Sequence, residues 1–361
     1  MINFFRCKNC LFPSTKPDLQ FNDKGICGAC TYTEYYENEV NWDQRREEFI
    51  KLCEDVKSSN KNSHYDCVIP VSGGKDSTYQ TYLAKKVGKL NPLLVSFEPS
   101  YPTEIGKKNL ENLRTAFDCD LIQLKKNQNV YRKLAKIGFE VIGDHEWPNH
   151  VGIYTWPIKM TMKMDVKLIL YGEPPGLIGL GRTKKLKEIK PLDRSWVEQY
   201  AGLIGLRPKD TIEFDKSLSD KDMFPYTFPE DNIIKEKKII PIFTGNYFKW
   251  DWQYVITEME KFGWQKSKER SEGDYKNIED LDCGFQPIHQ HFKFIKYGYA
   301  RATDHASYEI RHKRITKKQA KEFIITYDSE LPKKYFKNFL EFLDINEEKF
   351  YEIRDKFTNN E

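Results

Sequence analysis

Long hydrophobic runs are missing from this sequence of 361 residues, and so is a strong charge of either sign. No uninterrupted apolar run approaches the ~20 residues that a bilayer-spanning helix needs, and the opening stretch MINFFRCKNC lacks a signal-peptide core. The 58 basic and 54 acidic residues leave a formal charge of only +4, which gives no reason to expect binding to long nucleic acid. We therefore expect a cytoplasmic protein without a membrane span.

Cysteine is the first feature that needs a chemical explanation, because cytoplasmic thiols stay reduced. Cys7 and Cys10 form one Cys-x-x-Cys pair, and Cys27 and Cys30 form a second pair after sixteen intervening residues. Each pair can place two thiolates on one turn, and two turns supply the ligands of a tetrahedral zinc site. Four cysteine ligands close the coordination sphere, so we predict a structural zinc knuckle over residues 1–40. An iron–sulfur cluster is the competing assignment.

A glycine turn between two apolar segments is the second feature: Ser72-Gly73-Gly74-Lys75-Asp76-Ser77. A buried strand is predicted before it, at 65–71, and a helix from Ser77 onward. Further strands are predicted at 92–97, 120–124 and 166–170, and further helices at 104–117 and 130–142. This alternation indicates a parallel sheet with helices on both faces. In such a sheet ligands bind beyond the carboxyl ends of the strands, where the glycine turn lies and where a helix N-terminus attracts anions.

The turn matches neither a Walker P-loop nor a dinucleotide-binding loop. It resembles the PP-loop of the ATP pyrophosphatases, a family that includes asparagine, GMP and NAD synthetases and tRNA thiolases. The resemblance implies an α/β domain with an adenine-nucleotide α-hydrolase-like parallel sheet. It also implies that the turn's backbone amides, Ser72 and Ser77 hold the pyrophosphate of ATP, that Lys75 faces the phosphates, and that Asp76 helps to place Mg²⁺. The expected ATP site comprises Ser72, Gly73, Gly74, Lys75, Asp76, Ser77, Ser96, Gly172, Glu173, Lys296 and Arg301.

Several longer stretches together resemble the N-acetyl sugar amidotransferases of bacterial surface-polysaccharide and nonulosonic-acid pathways. They are KPDLQFNDKGICGAC, VSFEPSYPTEIGKKNLENL, GDHEWPNHVGIYTWPIKM, GNYFKWDWQ and GYARATDHASYEIRHKRIT. This resemblance covers nearly the whole chain. It implies that a sugar acetamido group, in the biosynthesis of LPS O-antigen or pseudaminic acid, is converted to an acetamidino group with ATP and ammonia through an adenylated intermediate. The sequence departs from the family pattern at one place: Gly172-Glu173 is present, but Pro174-Pro175-Gly176-Leu177 follows it. The identity of the acceptor sugar therefore stays open.

Two polar and aromatic stretches are candidates for sugar contact. In the first, His145, Trp147 and His150 can hold hydroxyls or stack on a ring, although a packed helix end explains them equally well. In the second, Trp250 and Asp251 belong to an aromatic run that is slightly more typical of a core seam than of a ligand wall.

The late part of the chain carries a mixture of cations and aromatics. The charged residues singled out there are Lys293, Lys296, Arg301, Asp304 and Arg311. Cations that alternate with tyrosines around a glycine favour contact with phosphates slightly over a solvated charged face. From Gln319 onward the sequence predicts amphipathic helices that pack or make oligomer contacts.

The nitrogen is expected to come from a separate protein. A glutaminase needs a nucleophilic cysteine, either at a mature N-terminus or on a sharp Gly-x-Cys-x-Gly turn. The second residue here is Ile2, and the nearest turn, at 25–29, lacks the final glycine. As the family resemblance also implies, we expect a glutaminase subunit, together with a barrel-shaped companion that conducts ammonia.

Two rival functions use the same features. A PP-loop tRNA thiolase also pairs the loop with cysteine knuckles, but it calls for a catalytic cysteine pair near the loop and a basic surface. The second rival is a non-catalytic zinc-knuckle module that keeps a nucleotide-binding fold only as a scaffold. The predicted divisions of the chain are a zinc knuckle at 1–40, an ATP-binding α/β domain at 60–185, and a substrate-binding or partner-binding helical region at 186–361.

Overall fold

The computed structural model describes residues 4–60, 63–179 and 205–358. A five-stranded parallel sheet lies at its centre, in the order β3-β2-β1-β4-β5. The strands are β1 (Cys67–Pro70), β2 (Pro92–Phe97), β3 (Asp120–Leu124), β4 (Leu168–Tyr171) and β5 (Ile240–Phe243). Every residue of β2 and β4 is buried, as expected of strands that helices cover on both faces.

Helices follow the strands and then dominate the C-terminal part. The earlier ones are α1 (Gly28–Asn38), α2 (Trp42–Ser59), α3 (Lys75–Tyr82), α4 (Glu104–Ala116), α5 (Gln128–Ile142) and α6 (Trp147–Lys163). The later ones are α7 (Thr211–Phe214), α8 (Asp231–Glu236), α9 (Trp252–Glu260), α10 (Gln286–Tyr297), α11 (Arg301–Arg311), α12 (Lys317–Tyr327), α13 (Phe336–Leu343) and α14 (Glu347–Phe357). No helix in the described ranges is long and apolar enough to cross a membrane.

The predicted parallel sheet with a helical C-terminal region is confirmed. β2 and β3 begin and end where the sequence analysis placed them, and β1 and β4 are shifted or shortened by a few residues. Local capping explains why the helices between them start where they do. The side chain of Thr103 accepts a hydrogen bond from the backbone of Gly106 at the start of α4, and Asn127 does the same for α5.

Two elements were not anticipated. The stretch considered for sugar contact runs into α6, a largely buried helix of 17 residues. Pro148 in its first turn and Pro157 inside it obscure the helical pattern in the sequence. The fifth strand, β5, is only four residues long and pairs with β4, with Leu168 opposite Ile240. The sheet therefore draws a strand from the range 186–361, and the predicted boundary at residues 185 and 186 lies outside the described residues.

The N-terminal segment packs against the C-terminal helices. Lys16 Nζ lies 3.6 Å from Asp304 Oδ1 on α11, and Thr15 donates a hydrogen bond to the carbonyl of Tyr297 at the end of α10. The hydroxyl of Tyr36 on α1 donates to the Gly245 carbonyl at 2.8 Å. Because the N-terminal segment contacts α10 and α11, residues far apart in sequence can share one site.

Candidate functional site

The glycine turn joins β1 to α3 in a conformation that only glycine adopts easily. Gly73 has a φ of +87°, and a Cβ atom added there would lie 2.7 Å from the backbone nitrogen of Leu110 on α4. Gly74 caps α3 with a φ of −71°, and its backbone N–H donates to Oγ of Ser72 at 3.3 Å. The turn therefore packs against α4 and presents the first turn of α3, with its unpaired N–H groups, beyond the end of β1.

A first cavity opens at the carboxyl ends of β1, β2 and β4, and we call it the strand-end cavity. Its volume is about 210 Å³. The residues that line it include Ser72, Asp76 and Ser77 from the glycine turn, Val95 and Phe97 from β2, Asn149 from α6, and Asp282. This is the position at which parallel α/β sheets bind ligands. Three of the predicted ATP-site side chains thus line one cavity.

A second cavity, of about 240 Å³, lies beside the first, and we call it the charged cavity. It is lined by residues from the N-terminal segment, from the glycine turn and from the C-terminal helices. The charged residues among them are Lys16, Lys75, Asp76, Glu173, Glu279, Lys293, Arg301, Asp304 and Arg311. Lys75, Glu173 and Arg301, which the sequence analysis assigned to ATP, lie here, as do Lys293, Asp304 and Arg311 from the late charged stretch.

Asp76 lines both cavities. Its Oδ2 accepts a hydrogen bond from Lys75 Nζ at 2.9 Å, and its Oδ1 accepts one from the indole of Trp250 at 2.9 Å. Trp250 is 1% exposed, so its ring is part of the core and acts on the site only through this N–H. The carboxylate is therefore fixed in orientation on the boundary between the two cavities.

The positive charge of Lys75 is shared among several carboxylates. Lys75 Nζ also contacts Glu279, and it lies 5.4 Å from the ring centroid of Trp252. Burial alone would lower the pKa of Lys75, but Asp76 and Glu279 raise it above its ordinary value. Two carboxylates thus stabilise the charged form of one buried lysine.

Glu173 behaves in the opposite way. Burial and the nearby Asp76 charge raise the pKa of Glu173 to about 8, although Lys75 and a hydrogen bond from Trp252 act against this. The indole N–H of Trp252 donates to Oε1 of Glu173 at 2.7 Å. For Glu279, burial is outweighed by Lys75, Arg301 and His305, which lower its pKa to about 2. The site therefore contains one carboxyl group that can exchange a proton near neutral pH and another that stays ionised.

Sequence reasoning missed Glu279, Asp282, Trp252 and Lys16. The segment that carries Glu279 and Asp282 runs beside the start of α4, where the backbone N–H of Thr103 donates to the Asp282 carbonyl at 3.2 Å. Burial raises the pKa of Asp282 to about 7, which indicates a carboxylate without enough positive charge around it. Three acids within the short run Ile-Glu-Asp-Leu-Asp-Cys-Gly at 278–284 are the signal that could have drawn attention to it.

Several predicted residues lie away from both cavities. Ser96 is 1% exposed, and its hydroxyl accepts a hydrogen bond from Gln123 at 3.4 Å. Gly172 packs against the side chain of Gln80, and an added Cβ would lie 2.2 Å from Nε2 and displace it. The Lys296 ammonium donates to the Ile142 carbonyl at 3.2 Å and does not line either cavity.

The predicted sugar-binding residues are also spread over different environments. Trp147 is fully buried, and its indole donates to the Leu206 carbonyl at 3.1 Å, so its ring offers no free face to a sugar. His145 is fully buried as well, and burial lowers its pKa to about 4. Asp251 caps α9 and contacts Arg314. His150 is 25% exposed and faces Asp144.

The departure from the family pattern at Pro174 has a defined structural role. The chain turns there, with the backbone N–H of Leu177 donating to the Pro174 carbonyl at 3.1 Å. The carbonyl of Leu177 accepts a hydrogen bond from Arg311 at 2.5 Å, and Leu177 and Ile178 form an apolar part of the charged cavity. This segment therefore shapes the charged cavity.

The four paired cysteines come together as a tetrahedral metal site requires. The Sγ atoms of Cys7, Cys10, Cys27 and Cys30 lie within 4.8 Å of one another, with individual separations such as 3.4 Å between Cys10 and Cys27 and 3.8 Å between Cys7 and Cys30. Zinc–sulfur bonds of about 2.3 Å place tetrahedral sulfurs about 3.8 Å apart. The cluster is therefore compatible with zinc, and all four cysteines are buried.

Comparison with known proteins finds a similarity for the C-terminal part of the chain. Residues 252–361 match the family model described as "LPS biosynthesis protein WbpG-like, C-terminal domain". We call these residues, 252–361, the WbpG-like region, because they are similar to that domain. The WbpG-like region begins at Trp252 and includes Glu279, Lys293 and Arg301, so it supplies one wall of the charged cavity.

Other comparisons give more distant similarities. A segment of 123 residues, 34% of this chain, is 28% identical to the uncharacterized protein MJ1599 of Methanocaldococcus jannaschii and spans 43% of that protein's length. The NH3-dependent NAD synthetase of Campylobacter jejuni, solved in complex with a nitrate ion, matches 64% of this chain and 99% of its own at 11% identity and a TM-score of 0.31. The NMN synthetase of Francisella tularensis matches 64% of this chain and all of its own at 12% identity and a TM-score of 0.31.

Proposed function

We propose that the protein is an ATP-dependent amidotransferase that converts a sugar acetamido group to an acetamidino group with ammonia, releasing AMP and pyrophosphate, in bacterial surface-polysaccharide biosynthesis. The observation that carries this proposal is the position of Asp76, which lines both the strand-end cavity and the charged cavity. One carboxylate can then serve a nucleotide on one side and an acceptor on the other. The WbpG-like region, whose family is named for LPS biosynthesis, supports the choice of acceptor class.

In this proposal ATP occupies the strand-end cavity. The glycine turn and the N-terminus of α3 hold its phosphates, with hydroxyls from Ser72 and Ser77, while Val95 and Phe97 provide apolar surface. Asp76 and Asp282 are the oxygen donors in this cavity that fit Mg²⁺, which when bound offsets charge on the phosphates. Lys75 is held by Asp76 and Glu279 at the boundary and offsets charge on the departing pyrophosphate.

The reaction balances in two steps. The acetamido oxygen of the sugar attacks the α-phosphorus of ATP, and the bond to pyrophosphate breaks. Ammonia then attacks the former carbonyl carbon, and AMP leaves with the original acetamido oxygen, so that nitrogen replaces oxygen in the product. Glu173, with a pKa of about 8, is suited to accept the proton that the attacking ammonia gives up.

The charged cavity fits a polar and anionic acceptor. Four cations line it: Lys16, Lys293, Arg301 and Arg311. Trp252 and Phe12 add aromatic surface that can lie against a sugar ring. Burial lowers the pKa of Lys16 to about 8 although Asp304 acts against this, so an anionic group in the cavity would further stabilise its ammonium.

Ammonia is proposed to come from a separate glutaminase subunit. All eight cysteines are buried, so none of them is presented to glutamine as a nucleophile. The same observation weighs against the tRNA thiolase alternative, which needs reactive cysteines near the glycine turn. Free ammonia is mostly protonated at neutral pH, so delivery through a companion protein would favour reaction over loss to solvent.

The products from ATP test this proposal. The purified chain is incubated with ATP, Mg²⁺, a high concentration of ammonium and a panel of acetamido sugars, free and nucleotide-linked. We expect AMP and pyrophosphate that depend on one class of sugar, and loss of both products in Asp76→Asn. Release of ADP and phosphate would contradict the assignment. Efficient use of glutamine by the isolated chain would contradict the separate glutaminase.

A further inference from the structure

A second cluster of metal-ligand side chains lies outside both cavities and far in sequence from the cysteines. It contains Asp144 before α6, His150 in α6 and His289 in α10. Their ligand atoms all lie within 4.8 Å of one another. His289 Nδ1 is 2.9 Å from Asp144 Oδ1, and His150 Nδ1 is 3.6 Å from Asp144 Oδ2. One carboxylate thus faces two imidazoles that come from different helices.

The hydrogen bonds of the cluster leave one oxygen unused. Asp144 is 1% exposed, and its Oδ1 also accepts a hydrogen bond from the backbone of Glu146 at 3.0 Å. Its Oδ2 is buried and has no hydrogen-bond partner among the residues that the structure describes. Leaving a buried carboxylate oxygen without a partner is costly, so this atom points to a ligand that the protein's own groups do not replace.

We propose that Asp144, His150 and His289 bind a divalent transition metal, Zn²⁺ above all. Two imidazoles and one carboxylate are a ligand set that this ion accepts, and tetrahedral bonds of about 2.0–2.2 Å would place the ligand atoms about 3.4 Å apart. The measured separations are 2.9 Å from His289 Nδ1 to Oδ1 and 3.6 Å from His150 Nδ1 to Oδ2 of the same carboxylate, each within about 0.5 Å of that value. Three protein ligands leave a coordination position for water, which can enter because His150 and His289 are 25% and 18% exposed.

The surroundings define what such a metal would do. The ion would fasten α10, which belongs to the WbpG-like region, to α6, which packs on the sheet. Asn149, next to His150, lines the strand-end cavity, and Lys293, one turn beyond His289, lines the charged cavity. A metal here would therefore fix the relative positions of the two helices that carry these walls.

Neighbouring charges act in both directions. Lys296, in the last turn of α10, acts on both histidines with its positive charge and disfavours a bound cation. The buried carboxylate of Glu146, two residues after Asp144, favours one. His145 is not counted among the ligands, because its ring packs edge-on against Phe339 at 4.7 Å and its Nε2 lies 3.5 Å from Glu146 Oε1.

Metal stoichiometry tests the proposal. The full-length protein is stripped with a chelator under reducing conditions, reloaded with Zn²⁺, passed through a desalting column and analysed for zinc. We expect two equivalents in the wild type, one in His150→Ala/His289→Ala, and two in the control His64→Ala, which removes an exposed histidine. In Cys27→Ser/Cys30→Ser the remaining equivalent should show only nitrogen and oxygen ligands by X-ray absorption.

Either of two results would overturn the proposal. One is a wild-type protein that holds a single equivalent of zinc, which would assign all of the zinc to the cysteines. This result does not depend on whether His150→Ala/His289→Ala folds. The other is a second equivalent that persists in a folded His150→Ala/His289→Ala protein, judged by circular dichroism and thermal unfolding. Asp144→Asn, which keeps the shape of the side chain but removes its charge, should lose the second equivalent as well.

Discussion

The indole N–H of Trp250 donates a hydrogen bond to Oδ1 of Asp76 at 2.9 Å, across 174 positions of sequence. The bond joins the segment just before the WbpG-like region to the first turn of α3. It leaves Oδ2 to Lys75 and fixes the plane of a carboxylate that faces two cavities. The buried ring of Trp250 therefore orients the Asp76 carboxylate, which we propose takes part in the reaction.

Removing that N–H while keeping an aromatic ring tests the relationship. We expect Trp250→Phe to lower the rate of pyrophosphate release by about 10–100-fold, in the range found when groups that orient a ligand are removed. The loss should be partly rescued by raised Mg²⁺, because the mispositioned carboxylate binds the ion less well. Trp264→Phe is the matched control, since Trp264 is also buried but its N–H has no partner among the described residues. Equal effects of the two substitutions would show that the Trp250 hydrogen bond plays no part.

The two glycines of the turn should differ in their effects. Gly73→Ala forces a side chain into a positive φ and against α4, so we expect a loss of at least about 1–2 kcal/mol in the free energy of unfolding, measured in urea. The Cβ of Gly74→Ala would meet nothing nearer than Ser72 Oγ at 3.4 Å, and stability should hardly change. Bulkier Gly74→Val should abolish ATP cleavage in a folded protein by filling the space beside the N-terminus of α3. Unfolding of Gly74→Val would contradict this separation.

Loss of a metal from the four-cysteine site should weaken binding of the acceptor sugar more than binding of ATP. The knuckle supports Phe12 and Lys16, which line the charged cavity, and Lys16 pairs with Asp304 at 3.6 Å. We expect Cys27→Ser/Cys30→Ser to lose one equivalent of zinc and to raise the KM for the acceptor sugar, with a smaller change in the KM for ATP. Metal analysis and steady-state kinetics provide the measurement. An iron–sulfur cluster in the wild type, or unchanged metal content in the variant, would refute the zinc assignment.

Glu173 should make stability depend on pH. Its pKa is raised from an ordinary 4.5 to about 8, so the folded protein binds its proton more tightly than the unfolded chain does. The stabilisation that this proton gives the folded protein is fully present below pH 4.5 and is lost as the pH rises toward 8. Glu173→Gln cannot ionise, so its free energy of unfolding should fall less between pH 5 and pH 8 than that of the wild type. Parallel pH profiles for the two proteins, from urea unfolding, would contradict the raised pKa.

The sequence predicted the elements whose patterns are local. The strands at 92–97 and 120–124 and the helix around 130–142 have clear apolar periodicity or length, and they form as expected. β5 is four residues long, and α6 has Pro148 in its first turn and Pro157 inside it. Neither segment therefore shows the full apolar periodicity of a strand or a helix. Their existence depends on partners that the sequence does not identify, such as β4 for β5.

The site divides in the same way. Ser72, Asp76 and Ser77 belong to one contiguous motif, and the structure places them together in a cavity at the end of the sheet. Glu279, Asp282 and Trp252 reach the same region from the C-terminal part through tertiary packing, and a single sequence gives no measure of that proximity. Trp147 shows the converse, because a residue type suited to sugar stacking is used here to fill the core.

The fate of the acetamido oxygen tests the central claim most directly. An acceptor sugar whose acetamido oxygen carries a heavy isotope is incubated with the protein, ATP, Mg²⁺ and ammonium labelled with heavy nitrogen. The account predicts that the heavy oxygen appears in AMP, that pyrophosphate is unlabelled, and that the sugar gains one labelled nitrogen in place of the oxygen. AMP without the isotope, or a sugar that keeps its acetamido oxygen while ATP is consumed, would contradict it.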